Sequence, residues 1–257
     1  MKIAIIGAGN MGGAIARGLA KGTLVNEEDL IVADPSKRML DALQLEHPAV
    51  RVTSDNEEAA QNADWVVVAV KPWLMEQVLG SISWREDQVL VSIAAGVTFA
   101  QLAGYTRGVV LPMFRVIPNT AISQLESMSL IAGQGVTAEQ EQLLLDLFDE
   151  MGLAMKVTEA QMGAATALTS CGIAYVLKYI QAAMQAGVEL GLRPSDAQRM
   201  VAQSVKGAAA LLLNNETHPA VEIDKVTTPG GITIKGINEL EHAGFTSAII
   251  RAMKASS

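Results

Sequence analysis

The sequence predicts an α/β protein in which a doubly wound parallel sheet is followed by an all-helical region. Short apolar runs alternate with amphipathic helical stretches up to about residue 157, as in parallel strands joined by crossover helices. A G-x-G-x-x-G motif lies between the first of these strands and its helix. From residue 158 onward the strand pattern stops, and Ala, Met and Leu dominate. We therefore predict a Rossmann-like, dinucleotide-binding domain over residues 1–157 and an all-helical domain over residues 158–257.

Seven apolar runs have the length and the β-branched content of strands. The first five are separated by helical or short charged segments, which favours a parallel sheet. They are Lys2–Ile6, Leu30–Ala33, Val50–Thr53, Trp65–Val70 and Gln88–Ile93, with Val109–Val116 and Ser129–Ala132 as further candidates.

Amphipathic or short charged segments follow the first four strands and are predicted to be helical. They are Met11–Ala20, Ser36–Glu46, Asn56–Ala63 and Trp73–Ser81. Thr137 opens another helix, because Gln140 stands three residues later, as in a capping box.

The second half is predicted to form two long helices, Gln161–Gly191 and Ser195–Asn214, with Gly191 as a C-cap and Ser195 as an N-cap. This half is so rich in Ala, Met and Leu that it would leave much apolar surface uncovered as a free-standing domain. We therefore expect it to pack against a second copy of the chain.

Composition excludes several classes of protein. The 257 residues are 50% hydrophobic and 18% charged, which suits a globular chain with an aliphatic core. The 19 Lys and Arg against 27 Asp and Glu leave a net charge of −8, so we expect no broad nucleic-acid or anionic-membrane surface. Cys171 is the single cysteine, which excludes an intrachain disulfide and a Cys-based zinc cluster and favours the cytoplasm.

Some features are interpreted as structural. The uncharged runs Gln88–Thr106 and Ala160–Leu177 are long enough to cross a membrane, but the polar residues within them favour buried core. The apolar run after Lys2 is too short for a targeting segment. No metal is expected, because the three histidines, His47, His218 and His242, lack the spacing of a metal site.

The motif at the first predicted strand end is Gly7-Ala8-Gly9-Asn10-Met11-Gly12. Gly7 permits a tight turn, Gly9 lets the backbone approach a pyrophosphate, and Gly12 lets the helix pack closely on the strand. The N-terminus of the following helix offers N–H donors to the phosphate charge. The sequence therefore predicts binding of NAD(H) or NADP(H) at this loop.

Asp34 ends the second predicted strand, where an acidic residue can bind the hydroxyls of the adenosine ribose and favour NAD(H). Lys37 and Arg38 follow closely and suit a 2′-phosphate, which favours NADP(H). A third interpretation is that Asp34-Pro35 only turns the chain. The preference between the two coenzymes therefore stays open.

Three further segments are candidates for ligand binding. Lys71-Pro72 and Pro118-Asn119 follow apolar runs, and ligands of such sheets lie beyond the carboxyl ends of strands, so Asn119 can present its amide to a nicotinamide or a substrate. Thr227–Thr233 clusters three hydroxyls around a Pro-Gly-Gly turn, which can grip a small carboxylate. Each segment is equally explained as a plain turn.

Several segments, taken in order, give the sequence a specific resemblance. They are Gly7–Gly12, Ala69–Pro72, Ser92–Gly96, Arg115–Thr120 and Thr227–Thr233, followed by Leu240-Glu241 and Gly244-Phe245. Over nearly its whole length the sequence resembles the pyrroline-5-carboxylate reductase family. The resemblance implies reduction of 1-pyrroline-5-carboxylate to L-proline with NAD(P)H, the last step of proline biosynthesis. It also implies a Rossmann domain followed by a helical domain that interlocks in homodimers, which often assemble further.

The resemblance also implies roles for individual residues. Thr233 would face the imine nitrogen as the catalytic hydroxyl. The other substrate-binding residues would be Thr228, Gly230 and Gly231, at the substrate carboxylate. For the coenzyme, the implied residues are Gly9, Asn10 and Met11 at the pyrophosphate, Asn56 on the adenosine side, and Ala69, Val70, Lys71 and Pro72 at the ribose and nicotinamide.

The sequence departs from the family's pattern in two places. Thr169-Ser170-Cys171-Gly172-Ile173-Ala174-Tyr175 stands where Ser-Gly-Ser-Gly-Pro-Ala-Tyr is usual, and Asn119-Thr120-Ala121 stands where Asn-Thr-Pro is usual. Ile173 restores the backbone N–H that proline lacks, so a helix can continue through this position. Two alternatives stay open: a dinucleotide-binding relative without catalytic activity, and a reductase of another small cyclic imine or acid.

Overall fold

The structure, a computed structural model, describes residues 1–256 and divides into two compact units, the first spanning Met1–Ser170 and the second beginning at Cys171. Within the described residues, eight strands form the sheet of the first unit. They are β1 (Ile3–Ile6), β2 (Leu30–Ala33), β3 (Arg51–Thr53), β4 (Trp65–Val68), β5 (Val89–Ser92), β6 (Met113–Ile117), β7 (Ser127–Gln134) and β8 (Gly152–Lys156).

The order of the strands across the sheet is β3-β2-β1-β4-β5-β6-β7-β8. All neighbouring pairs are parallel except β6 and β7, which are antiparallel. The chain runs outward in one direction from β1 to β3 and then returns to add β4 on the other side of β1. This reversal between β1 and β4 is the point at which doubly wound sheets bind their ligands.

Helices cover both faces of the sheet, because successive side chains of each buried strand point to opposite sides. Ile3 and Ile5 of β1 join the core on one face, while Ala4 and Ile6 join the core on the other. The helices of this unit are α1 (Asn10–Lys21), α2 (Lys37–Glu46), α3 (Asn56–Gln61), α4 (Met75–Gly80), α5 (Phe99–Tyr105), α6 (Ala138–Asp149) and α7 (Met162–Thr166).

The predicted Rossmann-like fold is confirmed, and the first five predicted strands lie within two residues of the observed ones at each end. The sixth differs more, because β6 begins at Met113 and not at Val109; Pro112, which lacks a backbone N–H, immediately precedes it. The capping box of Thr137 and Gln140 is present at the start of α6.

One α-helix and one strand of this unit were not predicted. Helix α5 is opened by a second capping box, formed by Thr98 and Gln101, which the sequence displays and which could have revealed it. Strand β8 lies at the edge of the sheet with Leu153 and Met155 about half exposed. Its five residues carry too weak an alternation to be recognised without the sheet beside them.

The first unit extends past the predicted domain boundary at residue 157 for a physical reason. Glu159 accepts hydrogen bonds from Nη1 of the buried Arg115 on β6 and from the backbone N–H of Phe99, both at 2.8 Å. This carboxylate joins the chain after β8 to the body of the sheet unit. The next helix, α7, contacts β7.

A π-helical turn (Ala167–Cys171) follows α7, and the second unit continues as helices throughout, which confirms the all-helical prediction. These are α8 (Gly172–Glu189), α9 (Pro194–Asn215), α10 (Pro219–Val226), α11 (Ile232–His242) and α12 (Phe245–Ala255). Helices α8 and α9 pack against each other. Tyr175 on α8 donates its hydroxyl to the carbonyl oxygen of Ala252 on α12 at 3.3 Å.

The helix ends of this half correct two predictions. Ser195 is not an N-cap, because α9 begins at Pro194, whose fixed φ suits the first helical position, and Arg193 is the N-cap. The long helix predicted over Gln161–Gly191 is interrupted by the π-helical turn and ends at Glu189. Gly191 lies just beyond, with a φ of +95°.

The helical stretch Glu159–Glu189 is long and apolar enough to cross a membrane by length and composition, and 17% of its most apolar window is buried. The expectation of buried core is therefore not met for Ala160–Leu177 within one chain, because little of the chain covers this stretch. It is met along Gln88–Thr106, where β5 and the side chains of Phe99 and Leu102 are buried.

Candidate coenzyme and substrate sites

A cavity of about 1030 Å³ opens at the carboxyl ends of the central strands of the first unit. It lies at the reversal between β1 and β4, where ligands of doubly wound sheets bind. The cavity is lined by the segments that follow four strands, Ala8–Met11 after β1, Ala69–Pro72 after β4, Ile93–Ala95 after β5 and Ile117–Pro118 at the end of β6.

The glycine-rich loop at this cavity has the geometry that its sequence predicts. Gly7 has a φ of +101°, and a Cβ atom there would lie 2.8 Å from the carbonyl oxygen of Ala69. A Cβ atom on Gly12 would lie 1.9 Å from the carbonyl oxygen of Gly7, so only glycine lets the loop close onto α1. A Cβ atom on Gly9 would meet nothing within 4 Å, although Gly9 lines the cavity.

The N-terminus of α1 completes an anion site at the same loop. The helix begins at Asn10 with Gly9 as its N-cap, no side chain caps it, and its first turn contains no acidic residue. Uncapped N–H groups and the positive end of the helix dipole attract a phosphate. The pyrophosphate of NAD(P)H therefore fits the loop of Gly9, Asn10 and Met11.

The carboxylate of Asp34 hydrogen-bonds to the main chain. It accepts hydrogen bonds from the backbone N–H groups of Ala8 and Ser36, both at 2.7 Å. It therefore joins the end of β2 to the glycine-rich loop and also turns the chain. Lys37 and Arg38 are exposed in the first turn of α2, and none of these three predicted side chains lines the cavity. Their predicted coenzyme contacts stay predictions.

Asn56 is the first residue of α3 and is half-buried outside the cavity lining. The helix is capped by Asp55, which accepts hydrogen bonds from the backbone N–H groups of Glu57 and Glu58. The predicted contact of Asn56 with the adenosine side of the coenzyme stays a prediction.

Two cationic side chains on α1, Arg17 and Lys21, line the cavity and were not predicted. Arg17 pairs with Glu46 on α2 through two hydrogen bonds of 2.7 and 3.1 Å. This hydrogen-bonded guanidinium lowers the pKa of Glu46, whose side chain is half exposed, below its ordinary value of 4.5. Arg17 and Lys21 follow Gly13 at intervals of four residues, which places all three on one face of the helix. This spacing could have revealed the two cations as site residues.

The end of β6 meets the π-helical turn. Asn119 is buried, and its amide has two main-chain partners: Oδ1 accepts from the N–H of Ala121 at 2.9 Å, and Nδ2 donates to the carbonyl oxygen of Thr169 at 3.4 Å. The Ser170 hydroxyl donates to the carbonyl oxygen of Pro118 at 3.1 Å. Asn119 itself does not line the cavity, whereas Ser170 does, and sequence reasoning missed Ser170 as a site residue.

In the second unit, the turn between α10 and α11 carries the remaining predicted residues. Gly230 has a φ of +74°, and the N–H of Gly231 donates to the carbonyl oxygen of Thr228 at 2.9 Å. Gly231 is the N-cap of α11 without a side-chain cap, and the first turn of α11 contains no acidic residue. Thr228 and Thr233 are exposed within this chain. The turn thus combines hydroxyls with the N-terminus of an eleven-residue helix.

The histidines have structural surroundings. His47 is buried with Nδ1 2.7 Å from a carboxylate oxygen of Glu27, His218 accepts from the N–H of Ala220 at the start of α10, and His242 is exposed. Within residues 1–256 no group of three or more His, Cys, Asp or Glu side chains is arranged to hold a metal ion.

Two family models match the chain. Residues 2–96 match the model described as NADP oxidoreductase, coenzyme F420-dependent. Residues 159–257 match the model described as pyrroline-5-carboxylate reductase dimerisation. The two matches fall on the sheet unit and on the helical region respectively.

Individual proteins resemble the whole chain. The pyrroline-5-carboxylate reductase of Synechocystis is 38% identical over 261 residues, which cover 100% of this chain and 96% of that protein. Pyrroline-5-carboxylate reductase 1 of Dictyostelium discoideum is 37% identical over 99% of this chain, which spans about half, 48%, of that longer protein. The crystal structure of Plasmodium falciparum pyrroline carboxylate reductase with NADP bound superposes with a TM-score of 0.89 at 29% identity, covering 100% of this chain and 95% of that one.

Proposed function

The chain belongs to the pyrroline-5-carboxylate reductase family, and we propose that its first unit binds NAD(P)H and its second unit binds the imine substrate. The family's reaction is the reduction of the C=N bond of 1-pyrroline-5-carboxylate, which gives L-proline. The observation that carries this function is the glycine-rich loop at the β1–β4 reversal, where an uncapped helix N-terminus and a wide cavity accommodate a dinucleotide.

Within the coenzyme site, Gly9, Asn10 and Met11 are proposed to bind the pyrophosphate through their backbone. Gly7 and Gly12 permit this approach because side chains there would collide with Ala69 and with the loop itself. The proposed ribose and nicotinamide contacts come from Ala69, Val70, Lys71 and Pro72, and the adenosine contacts from Asp34, Lys37, Arg38 and Asn56.

The substrate carboxylate is assigned to the turn of Thr228, Gly230 and Gly231, supported by the uncapped N-terminus of α11. Asn119 stays a proposed substrate-side residue whose amide already hydrogen-bonds to the main chain of Thr169 and Ala121. Thr233 is the proposed catalytic hydroxyl at the imine nitrogen.

When NAD(P)H is bound, its nicotinamide ring supplies a hydride to the imine carbon. The π electrons of the C=N bond then move to the nitrogen, which takes up a proton and becomes the amine of proline. The residues of this chain hold the two reactants in a reactive orientation and keep water from the transfer. The Thr233 hydroxyl hydrogen-bonds at the nitrogen whose charge and proton count change.

We also propose a homodimer formed through residues 159–257, which assembles further as the family resemblance implies. The support is the dimerisation family model and the many exposed apolar side chains of this region, among them Leu190 and Ile232, which are 84% and 86% exposed. A role in proline biosynthesis follows from the reaction, and a cytoplasmic location is proposed because the single cysteine suits a reducing compartment.

The experiment that tests this function is steady-state oxidation of NADPH and of NADH by the purified protein in the presence of 1-pyrroline-5-carboxylate. Proline should accumulate in step with coenzyme oxidation. Tight coenzyme binding without turnover would point to a non-catalytic relative. Turnover of another cyclic imine but not of pyrroline-5-carboxylate would point to a different substrate.

A further inference from the structure

Two reciprocal hydrogen bonds join the end of β6 to the π-helical turn. Ser170 donates its hydroxyl to the carbonyl oxygen of Pro118 at 3.1 Å, and Asn119 donates its amide to the carbonyl oxygen of Thr169 at 3.4 Å. Each side thus gives one side-chain donor and one main-chain acceptor from adjacent residues. We call these two hydrogen bonds the cross-link pair.

The β6 side of the cross-link pair is firmly held. The backbone N–H of Asn119 donates to the hydroxyl oxygen of Ser127 at 3.1 Å, and the hydroxyl of Ser129 donates to the same oxygen at 3.1 Å. Both serines are buried on β7, and the Asn119 side chain is itself 8% exposed. The carbonyl of Pro118 is therefore presented from a rigid part of the sheet.

The other side depends more on outside contacts. The π-helical turn departs from the regular i→i+4 pattern of α-helical hydrogen bonds, and the Thr169 carbonyl within it accepts from the Asn119 amide. The Thr169 hydroxyl donates to Ala165 within the same helix, so it does not tie the turn to the sheet. The two bonds of the cross-link pair do.

The cross-link pair lies on the β6 side of the cavity, whereas the glycine-rich loop lies on the β1 side. Pro118 and Thr120 line the cavity on the β6 side, and Thr166 and Ser170 line it on the helical side. In the order of strands, β5 and β4 separate β6 from β1, which carries the glycine-rich loop. A change in the spacing between β6 and the π-helical turn would therefore alter the β6 side of the cavity, two strands away from the glycine-rich loop.

We propose that Asn119 and Ser170 are positioning residues for the reduction, which fix the spacing between β6 and the π-helical turn and thereby the shape of the β6 side of the cavity. The inference rests on the proposed function. It assigns a role to the departure of this chain from the family pattern, because glycine, which is usual at the position of Ser170, has no hydroxyl to donate to Pro118.

The test compares Ser170→Ala, which keeps Cβ and removes the donor, with Ser170→Thr, which keeps a hydroxyl. Ser81→Ala is the matched control, because exposed Ser81 also donates to a main-chain carbonyl, that of Val78, but does not line the cavity. Ser170→Ala should raise the KM for pyrroline-5-carboxylate about 2- to 12-fold, as expected for one neutral hydrogen bond. The Kd for NADPH, measured by fluorescence, should stay unchanged.

Ser170→Thr should restore most of the substrate affinity. Asn119→Asp provides a second route, because it keeps the oxygen that accepts from Ala121 and removes the amide donor to Thr169. It should raise the same KM, and it keeps the proposal testable if Ser170→Ala does not fold.

Three results would overturn the proposal: a KM of Ser170→Ala equal to that of Ser81→Ala, a parallel loss of NADPH affinity, or no rescue by threonine. Hydrogen exchange of peptides covering residues 159–177 separates this failure from failure of the proposed function. Ser170→Ala should accelerate exchange there even if the wild-type protein does not reduce pyrroline-5-carboxylate, and unchanged exchange would reject the cross-link itself.

Discussion

Gly9 and Gly12 occupy one loop but face different surroundings. A Cβ atom on Gly12 would overlap the carbonyl oxygen of Gly7, a main-chain atom that cannot move without reshaping the loop. A Cβ atom on Gly9 would meet no protein atom within 4 Å, and Gly9 lines the cavity. Gly12 therefore serves packing, and Gly9 is suited to the close approach of a ligand.

Gly12→Ala should destabilise the protein by about 1–3 kcal/mol through overpacking. Gly9→Ala should leave the melting temperature near that of the wild type and raise the Kd for NADPH about 10- to 100-fold, the loss expected for one hydrogen bond to a charged group. Thermal melts and coenzyme titrations check both. The control is Gly104→Ala on α5, where the new methyl group meets nothing within 4 Å and should stabilise the helix by about 0.5–1 kcal/mol. Equal coenzyme affinity in Gly9→Ala and wild type would remove Gly9 from the site.

Thr233 is exposed in the first turn of α11, next to the Gly230-Gly231 turn. Thr233→Val should lower kcat about 5- to 150-fold, because one hydrogen bond at the reacting nitrogen is worth about 1–3 kcal/mol. The Kd for the coenzyme should barely change. Thr246→Val, which removes a hydroxyl bonded to Glu241 in α11, is the control and should retain kcat. Wild-type turnover in Thr233→Val would end the catalytic assignment.

Helices α1 and α2 are joined at their surfaces by Arg17 and Glu46. The guanidinium makes two hydrogen bonds to the carboxylate and a third, of 3.2 Å, to the carbonyl oxygen of Gly13. Exposed pairs of this kind contribute little to stability and are screened by salt. The hydrogen bonds from Arg17 do, however, lower the pKa of Glu46, and this shift is measurable.

A lowered pKa in the folded state means that the pair stabilises the protein above the ordinary pKa of the carboxyl and that this contribution is lost as pH falls through the folded value. The melting temperature of the wild type should therefore slightly exceed that of Glu46→Gln at neutral pH. The difference should disappear as the pH falls from 4.5 downward. Melts over a pH series check this, and the neutral-pH difference should shrink in high salt. A difference that grows on acidification would contradict the pairing.

The first turn of α2 presents Lys37 and Arg38 to solvent, while Asp34 has main-chain partners for both carboxylate oxygens. We therefore expect both coenzymes to be used without extreme preference. The double variant Lys37→Ala/Arg38→Ala should raise the KM for NADPH and leave that for NADH nearly unchanged, because only NADPH carries the 2′-phosphate. Arg51→Ala, an exposed cation on β3, controls for net charge. An unchanged KM for NADPH would show that these side chains do not hold the phosphate.

The two units bury their apolar residues to different degrees. The sheet unit has a core on both faces, whereas within residues 171–256 the helices bury only Gly172 and Ala197 completely. An isolated helical region with so little core would not be stable. A second copy of the same region would bury the apolar side chains that one copy leaves exposed.

Sedimentation at micromolar concentration should therefore detect no folded monomer, and dilution should unfold the helical region as it dissociates. The unfolding temperature should rise with protein concentration, as for obligate dimers. A folded and active monomer at that concentration would contradict the proposed dimer.

The elements that the sequence predicted correctly depend on short-range patterns. Strands β1, β2, β4 and β5 are apolar runs buried on both faces, and the glycine-rich loop, the capping box at Thr137 and the helical second half each show within a few residues. The assignment to a dinucleotide-binding fold and to its family followed from these segments. Edge strand β8 and the N-cap of α9 escaped prediction, because the first needs its neighbour β7 and the second depends on where Pro194 fixes the backbone.

The contacts that shape the candidate site join residues far apart in the chain, and no local pattern announces them. Asp34 reaches Ala8, Arg17 reaches Glu46, and Ser170 reaches Pro118 only because the sheet and its helices bring these distant segments together. A side chain with several possible partners bonds to the one that folding places within reach, and that choice depends on the packing of whole elements. The sequence therefore determined the fold, the class of coenzyme and the family, whereas the tertiary structure decided that Asp34 supports the loop and that Ser170 lines the cavity.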